Sequence, residues 1–334
     1  MGQTVLMGLL QANPYQRVTA ITGTSPGKSA EDIYRLAEAN GMGRDRLECA
    51  SYADIDPDQL EKPESIILGV KPHKVASTLA VYEGLIDDHT QIISMAAGLS
   101  LVDYQAMVTS SPTFIRIMPH LPKGVYAIYG EDQAALDQAK TLCTGLGEAV
   151  ELEDEKQMHG FIGIAGSAPA FIARFLESFA EGEERQQAMD GLQEPQAAQG
   201  RVATFYQYYR KAALQFFQEA QAEQIITITL HTTIEDMQKR NLSPSAYATA
   251  VRSPKGTTNI GLLVMGSPPP QEPRYGDEAQ LHAQNTVARE WASIRPEEAI
   301  EPAIVATAMR SKAMSENLED PLYGVKWDML LQLK

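Results

Sequence analysis

The segment Ala250-Val251-Arg252-Ser253-Pro254-Lys255-Gly256-Thr257-Thr258 holds the residue types best suited to chemistry. Small and hydroxyl residues that follow a helix make a turn whose successive backbone N–H groups can converge on an anion. A helix beginning near Thr258 adds its positive end. A substrate carboxylate suits such a place. The same residues also suit a solvent-exposed helix cap, so the segment taken alone leaves both readings open. Val70-Lys71-Pro72, Ala96-Ala97-Gly98 and Met118-Pro119-His120 each close a continuous apolar run. If those runs are strands of a parallel sheet, these are the carboxyl ends beyond which ligands bind.

The elements that must position these residues follow from periodicity. Residues 4–11 carry apolar side chains at helical spacing, 17–22 read as a short β-branched strand, and 30–39 form a second amphipathic helix that Gly41 closes. The runs 65–70, 91–95 and 114–118 have the unbroken apolar form of strands buried on both faces, with helices at 75–85 and 101–109 between them. This alternation indicates a parallel α/β sheet. A hairpin-like stretch at 125–129, a helix at 133–146 and a strand at 148–152 complete the first half. Beyond residue 156 the pattern turns helical: a buried helix at 161–180, interrupted near Gly166-Ser167-Ala168-Pro169, and more helix at 202–239. Residues 181–200, rich in Gln and Glu, and 266–278, with four prolines, read as exposed loops.

The 334 residues suit two domains, and a 44% hydrophobic, 21% charged composition suits a folded protein. A net charge of −15 argues against nucleic acid or an anionic membrane as a general partner. Cys49 and Cys143 form no paired motif, which fits a reducing compartment, and no histidine pair has metal-ligand spacing. Apolar stretches such as 92–99 fall far short of the roughly 20 residues of a membrane span. With no signal-peptide pattern, the chain reads as cytoplasmic. Gly41-Met42-Gly43 and Gly145-Leu146-Gly147 are G-x-G fragments outside the strand–helix context that would make them phosphate loops, and read as loop turns. Tyr206, Tyr208, Tyr209, Phe216 and Phe217 read as core or subunit contact.

Five segments stand in a telling order: Ile66 to His73, Ile93 to Gly98, Arg116 to Pro122, Gly166 to Ala170, and Ser253 to Thr258. With them the chain resembles the pyrroline-5-carboxylate reductases from about residue 60 to 180 and from about 220 to 265, and 303–312 resembles that family's last long helix. The resemblance implies an α/β fold with a Rossmann-type parallel sheet, residues 1–155, that binds NAD(P)H. An all-α domain, residues 156–334, would bind substrate and join two subunits into a homodimer or an assembly of dimers. It implies reduction of a small cyclic imine, 1-pyrroline-5-carboxylate, to L-proline. The cofactor supplies the hydride, while the protein holds the imine, balances its carboxylate and favours the protonated nitrogen.

Carried over by position, Thr258 matches the threonine whose hydroxyl sits near the substrate nitrogen. Ser253, Gly256 and Thr257 match the loop that holds the carboxylate, and Ser167 and His120 fall in motifs assigned to substrate binding. Val70, Lys71 and Pro72, with Ala96, Ala97 and Gly98, match the strand ends that line the nicotinamide and its ribose. Gly2 matches the end of a glycine-rich phosphate loop, so the family's first strand and most of that loop are expected to be missing and their neighbours in the sheet left unpaired. Ser25 and Lys28 follow the strand that meets the adenosine ribose. With no acidic residue at its end they suit a 2′-phosphate, favouring NADPH, with NADH possible.

Departures from the family pattern keep other readings in view. Lys255 replaces a loop glycine, His120 stands in place of an asparagine, Ala168 replaces a glycine, and the family's Gly-Leu-Pro segment gives way to residues 181–200. These features suit a paralogue that reduces a modified cyclic imine. The incomplete phosphate loop suits a non-catalytic dimerisation protein.

Overall fold

A Gly-Gln-Thr-Val-Leu-Met opening supplies few capping groups but a strongly apolar surface. In the computed structural model it forms helix α1, Gly2–Ala12. The structure describes residues 2–13, 17–22, 29–43, 45, 47–52, 54–120, 122–252, 256–268 and 278–315. Two compact units result, one of Met1–Leu121 with Tyr126–Glu151, the other of Pro122–Val125 with Leu152–Lys334.

In the first unit the unbroken apolar runs are strands. β1 (Val18–Thr22) pairs in parallel with β2 (Leu47–Ser51), Ala20 opposite Cys49. A second sheet takes the order β3 (Ser65–Leu68), β4 (Gln91–Ser94), β5 (Thr113–Pro119), β6 (Gly124–Tyr129) and β7 (Gly147–Glu151). β3, β4 and β5 run parallel, with Ile66 opposite Ile92 and Ile92 opposite Phe114. β6 returns antiparallel on β5, Ile117 opposite Ile128. The sheet is therefore a Rossmann-type parallel core with an antiparallel extension. Among the described residues β1 and β3 are each paired on one side only, so strands expected in one sheet lie in two.

Helices α2 (Ala30–Ala39), α3 (Pro72–Val81), α4 (Leu101–Gln105) and α5 (Gln133–Cys143) cover the strands. One face of the larger sheet packs Ile92 and Phe114 against Val75, Leu79 and Tyr104. The other packs Ile93, Ile115 and Ile117 against Val5 and Leu9 of α1 and Leu136 of α5. Helix α1 also turns Met7 and Leu10 toward Ile33, Ala37 and Leu47, so its two faces serve both sheets. Ser29 and Ser100 each form a reciprocal capping box with the aspartate three residues on, which fixes where α2 and α4 begin. The Gly145 fragment has more than a turn's role: a methyl group there would lie 2.1 Å from the Gly8 carbonyl oxygen, so its bare backbone lets α1 pack closely.

The second unit is helical. α6 (Gln157–Phe161) runs through a π-helical turn, Ile162–Gly166, into α7 (Ala168–Glu177). By length and hydropathy this 21-residue run could cross a membrane, unlike the shorter stretches weighed from sequence, yet 89% of its apolar window is buried inside the fold. After it come α8 (Glu183–Gln193), α9 (Gly200–Ala213), α10 (Glu219–Lys239), α11 (Pro244–Val251), α12 (Thr257–Val264), α13 (Glu278–Trp291) and α14 (Pro296–Ser315).

Helix α8 overturns the expectation of an exposed loop at 181–200. Its polar surface hides a one-sided apolar stripe, Ala188, Met189 and Leu192, which is buried. Acidic Glu183 and Glu184 sit in the first turn, where the helix dipole favours them. The helix is also tied to its neighbours. Arg185 donates to the carbonyls of Leu176 at 3.2 Å and Phe179 at 3.0 Å, serving acceptors at and just beyond the end of α7, and His231 Nε2 meets the Gln193 carbonyl at 2.6 Å. Of the other expected loop, residues 269–277 lie outside the described residues. The aromatic stripe supplies core: Tyr206, Tyr209 and Phe217 are buried.

Candidate functional site

Two groups of residues named from the sequence are each assembled within one unit. In the second unit, Gly163 and Gly261 set the spacing. A methyl group at Gly163 would stand 2.8 Å from the Ile304 carbonyl oxygen, and one at Gly261 would stand 2.2 Å from the Phe171 ring. Their bare backbones thus let α14 approach the π-helical turn and α12 approach α7. The turn itself is closed by the Ser167 N–H bonding the Ile162 carbonyl at 2.8 Å, five residues back. The Tyr209 hydroxyl donates to the carbonyl of Ile164. A π-helical turn of this kind re-aims the side chain that follows it.

That side chain is Ser167. It is buried, and it receives a hydrogen bond from the Thr258 hydroxyl at 3.0 Å. Its Oγ also lies 3.4 Å from Thr257 Oγ1. Thr258 is itself buried, in the first turn of α12. Gly256 is the residue before that turn, with extended φ −85° and ψ 170°, and no side chain caps the helix there. Among the described residues no cap side chain accepts from the first N–H groups of α12, and they carry the positive end of the helix dipole. Thr307 of α14 supports the turn from behind, donating to the Ala303 carbonyl at 2.8 Å and lying 3.5 Å from the Thr257 carbonyl. An anion with an adjacent polar atom fits this arrangement: backbone donors for the charge and a paired hydroxyl beside them. Ser253, with Lys255, lies outside the described residues.

In the first unit, the start of α1 meets the carboxyl end of β3. Gly2 and Gly69 face each other closely enough that a methyl group on Gly69 would lie 3.4 Å from the Gly2 Cα. Lys71 ends the strand segment as the residue preceding α3, and Pro72, which lacks an N–H to leave unsatisfied, opens that helix. Val70 packs partly buried on the core, whereas Lys71 is exposed. After β4, Ala96 is buried and its N–H donates to Ser94 Oγ at 3.3 Å, while Ser94 is held by the Tyr104 hydroxyl at 2.6 Å. Gly98 turns the chain with φ +80°, a left-handed conformation that glycine takes at no steric cost. The start of α1 and the end of β3 make a shelf where Gly2 meets Gly69, with exposed Lys71 and a helix N-terminus at its edge. This fits the pyrophosphate and nicotinamide ribose of a dinucleotide. Ser25 and Lys28 lie outside the described residues. His120 closes β5 and is buried, 1% exposed, rather than reaching into solvent. Among the described residues, no three of His, Cys, Asp and Glu gather as metal ligands would.

Sequence reading passed over several members of this construction. Thr307 acts through a long-range contact that no local pattern marks, and Tyr209, read as core or subunit contact, also bonds the π-helical turn. Arg252 was seen only as a member of the loop motif, yet it is buried and bonded to Asn259.

No family model matches the chain. A pyrroline-5-carboxylate reductase of Synechocystis sp. is 29% identical over 240 residues, covering 69% of this chain and 78% of the relative. Pyrroline-5-carboxylate reductase 3 of Mus musculus is 26% identical over 273 residues, covering 78% and 83%. The enzyme of that name from Haemophilus influenzae is 30% identical over 128 residues, and the match spans 46% of its length. Among solved structures, a pyrroline-5-carboxylate reductase from Coxiella burnetii aligns over 94% of both chains with a TM-score of 0.48 and 17% identity. A Plasmodium falciparum pyrroline carboxylate reductase with NADP bound aligns over 94% of both chains with a TM-score of 0.47 and 16% identity.

Proposed function

The chain belongs to the pyrroline-5-carboxylate reductase family of NAD(P)-dependent oxidoreductases, and from that premise we propose that it reduces 1-pyrroline-5-carboxylate to L-proline with NADPH. The observation that carries this reading is the buried pair of Thr258 and Ser167 at the start of α12, where glycine is the cap residue.

In this reading the N–H groups of the Gly256–Thr257 turn, with Ser253, hold the carboxylate of the imine. The charge is balanced by backbone dipoles that burial keeps fixed. Thr258 turns its hydroxyl to the ring nitrogen. Ser167, already within hydrogen-bond reach, keeps that hydroxyl oriented, so that the nitrogen is held where it gains its proton. We assign His120 to substrate binding. The shelf of Gly2, Val70, Lys71, Pro72, Ala96, Ala97 and Gly98 binds the dinucleotide, and Ser25 and Lys28 hold its 2′-phosphate. When bound, the nicotinamide would supply the hydride to the C=N carbon, and the imine nitrogen takes its one proton from solvent as the substrate binds, so hydride and proton together give the amine and oxidised cofactor. No further acid or base is needed, since the protein's task is to align and to keep water out. We assign the helical unit to dimerisation and the protein to the cytoplasm.

Thr258→Val keeps the shape and removes the hydroxyl, while Thr258→Ser keeps the hydroxyl. Steady-state NADPH oxidation with 1-pyrroline-5-carboxylate is expected to fall about 100-fold in kcat for the valine variant. The serine variant should retain most of the rate, and NADPH affinity should be unchanged in both. A valine variant as active as the parent would remove Thr258 from the chemistry.

A further inference from the structure

We propose that Arg252 is the positioning residue of the first turn of α12, acting through a buried polar staple that ties the end of α11 to that turn. This rests on the function proposed above.

Arg252 ends α11, its N–H bonding the Thr249 carbonyl at 3.3 Å, and its side chain turns inward to 8% exposure. Among the described residues the guanidinium reaches three acceptors. Nε donates to Asn259 Oδ1 at 2.6 Å, Nη1 to the Pro268 carbonyl at 2.8 Å and Nη2 to the Ser267 carbonyl at 3.0 Å. Asn259, fully buried, passes the connection on, its Nδ2 donating to Gln284 Oε1 at 3.0 Å. Gln284 is fully buried on α13.

One planar group thus joins the residue before the loop, the first turn of α12, the chain leaving α12, and through Asn259 a further helix. Arg252 is thereby tied to the α12 turn that carries Thr257 and Thr258. A carboxylate held by backbone N–H groups is held only as well as those groups are fixed, because misplacement by an ångström loses directed hydrogen bonds. The staple holds those groups from outside the turn, through the Asn259 side chain. Lysine cannot replace arginine here, since an ammonium is a point donor and cannot span three acceptors lying in one plane.

The test uses the full-length protein and two variants, Arg252→Lys and Gln284→Met, the latter removing the outermost hydrogen bond of the staple. Hydrogen exchange read on peptides covering 250–268 is expected to quicken in both variants, more in Arg252→Lys, with the first unit unchanged. KM for 1-pyrroline-5-carboxylate should rise roughly tenfold or more in Arg252→Lys, the size expected when charged hydrogen bonds are lost. KM for NADPH should stay within twofold, and 1-pyrroline, which lacks the carboxylate, should show no comparable penalty. If Arg252→Lys is not recovered folded, the same readouts on Gln284→Met decide, with a smaller shift in the same direction. Unchanged exchange at 250–268, or an equal penalty on both imines, overturns the proposal. Absence of imine turnover by the parent protein instead overturns the function on which it rests, while the exchange result still reports on the staple.

Discussion

Gly261→Ala is the sharpest probe of how α12 is seated. A methyl group at that position would stand 2.2 Å from Cζ and 2.5 Å from Cε1 of Phe171, and 2.7 Å from Thr307 Oγ1. Phe171 is fully buried, so its ring has no free space to swing into. Overpacking of this kind costs about 1–3 kcal/mol. Against it stands the better helix propensity of alanine, about 1 kcal/mol in a helix interior. Approaches of 2.2 to 2.7 Å put the cost at the upper end, about 3 kcal/mol, so the net expectation is a loss of roughly 2 kcal/mol. Urea unfolding followed by circular dichroism should show a lower midpoint at unchanged slope. Phe171→Leu in the same chain should relieve the clash, so that the double variant loses about 1 kcal/mol or more less than the sum of the single losses. A Gly261→Ala protein as stable as the parent, or strictly additive losses, would refute the close approach of α12 to α7.

Leu192→Ala tests the packing of α8: removal of a fully buried leucine should cost about 2–5 kcal/mol, where an exposed-loop residue would cost nearly nothing in the same urea experiment. Glu297 predicts a pH dependence. Burial pushes its carboxyl up, but the Arg201 hydrogen bond, with its other partners, outweighs this and holds it below the ordinary value of 4.5. A carboxylate depressed in the folded state stabilises above its unfolded pKa and loses that contribution as pH falls through the folded value. Thermal stability of Glu297→Gln should therefore lie below the parent at pH 7, and the gap should close below about pH 4.5. A gap that stays constant into acid contradicts the pairing.

The parallel strands were legible because a strand covered on both faces must be apolar along its whole length, as Ile66, Ile67 and Leu68 or Ile92 and Ile93 are. β2 was missed because Leu47-Glu48-Cys49-Ala50-Ser51 has neither an unbroken apolar run nor clear alternation. Helix α8 was missed for a related reason: only Ala188, Met189 and Leu192 face inward, and the glutamines and glutamates around them dominate any average. At the site, residue types marked Thr258 and Ser167. Their meeting depends on a π-helical turn and on two glycines placed against distant helices, Gly163 and Gly261, and these are tertiary facts. The Arg252 staple is harder still, since Ser267, Pro268 and Gln284 become its neighbours only once α12 and α13 are packed.

The central claim is hydride addition to the carbon of a cyclic C=N bond, and one measurement tests it directly. The protein is incubated with 1-pyrroline-5-carboxylate and NADPH deuterated at the transferring carbon of the nicotinamide, and the product is examined by mass spectrometry and chiral chromatography. The account predicts L-proline carrying one deuterium at ring carbon 5. NADPH left unoxidised, or proline formed without the label, would contradict it.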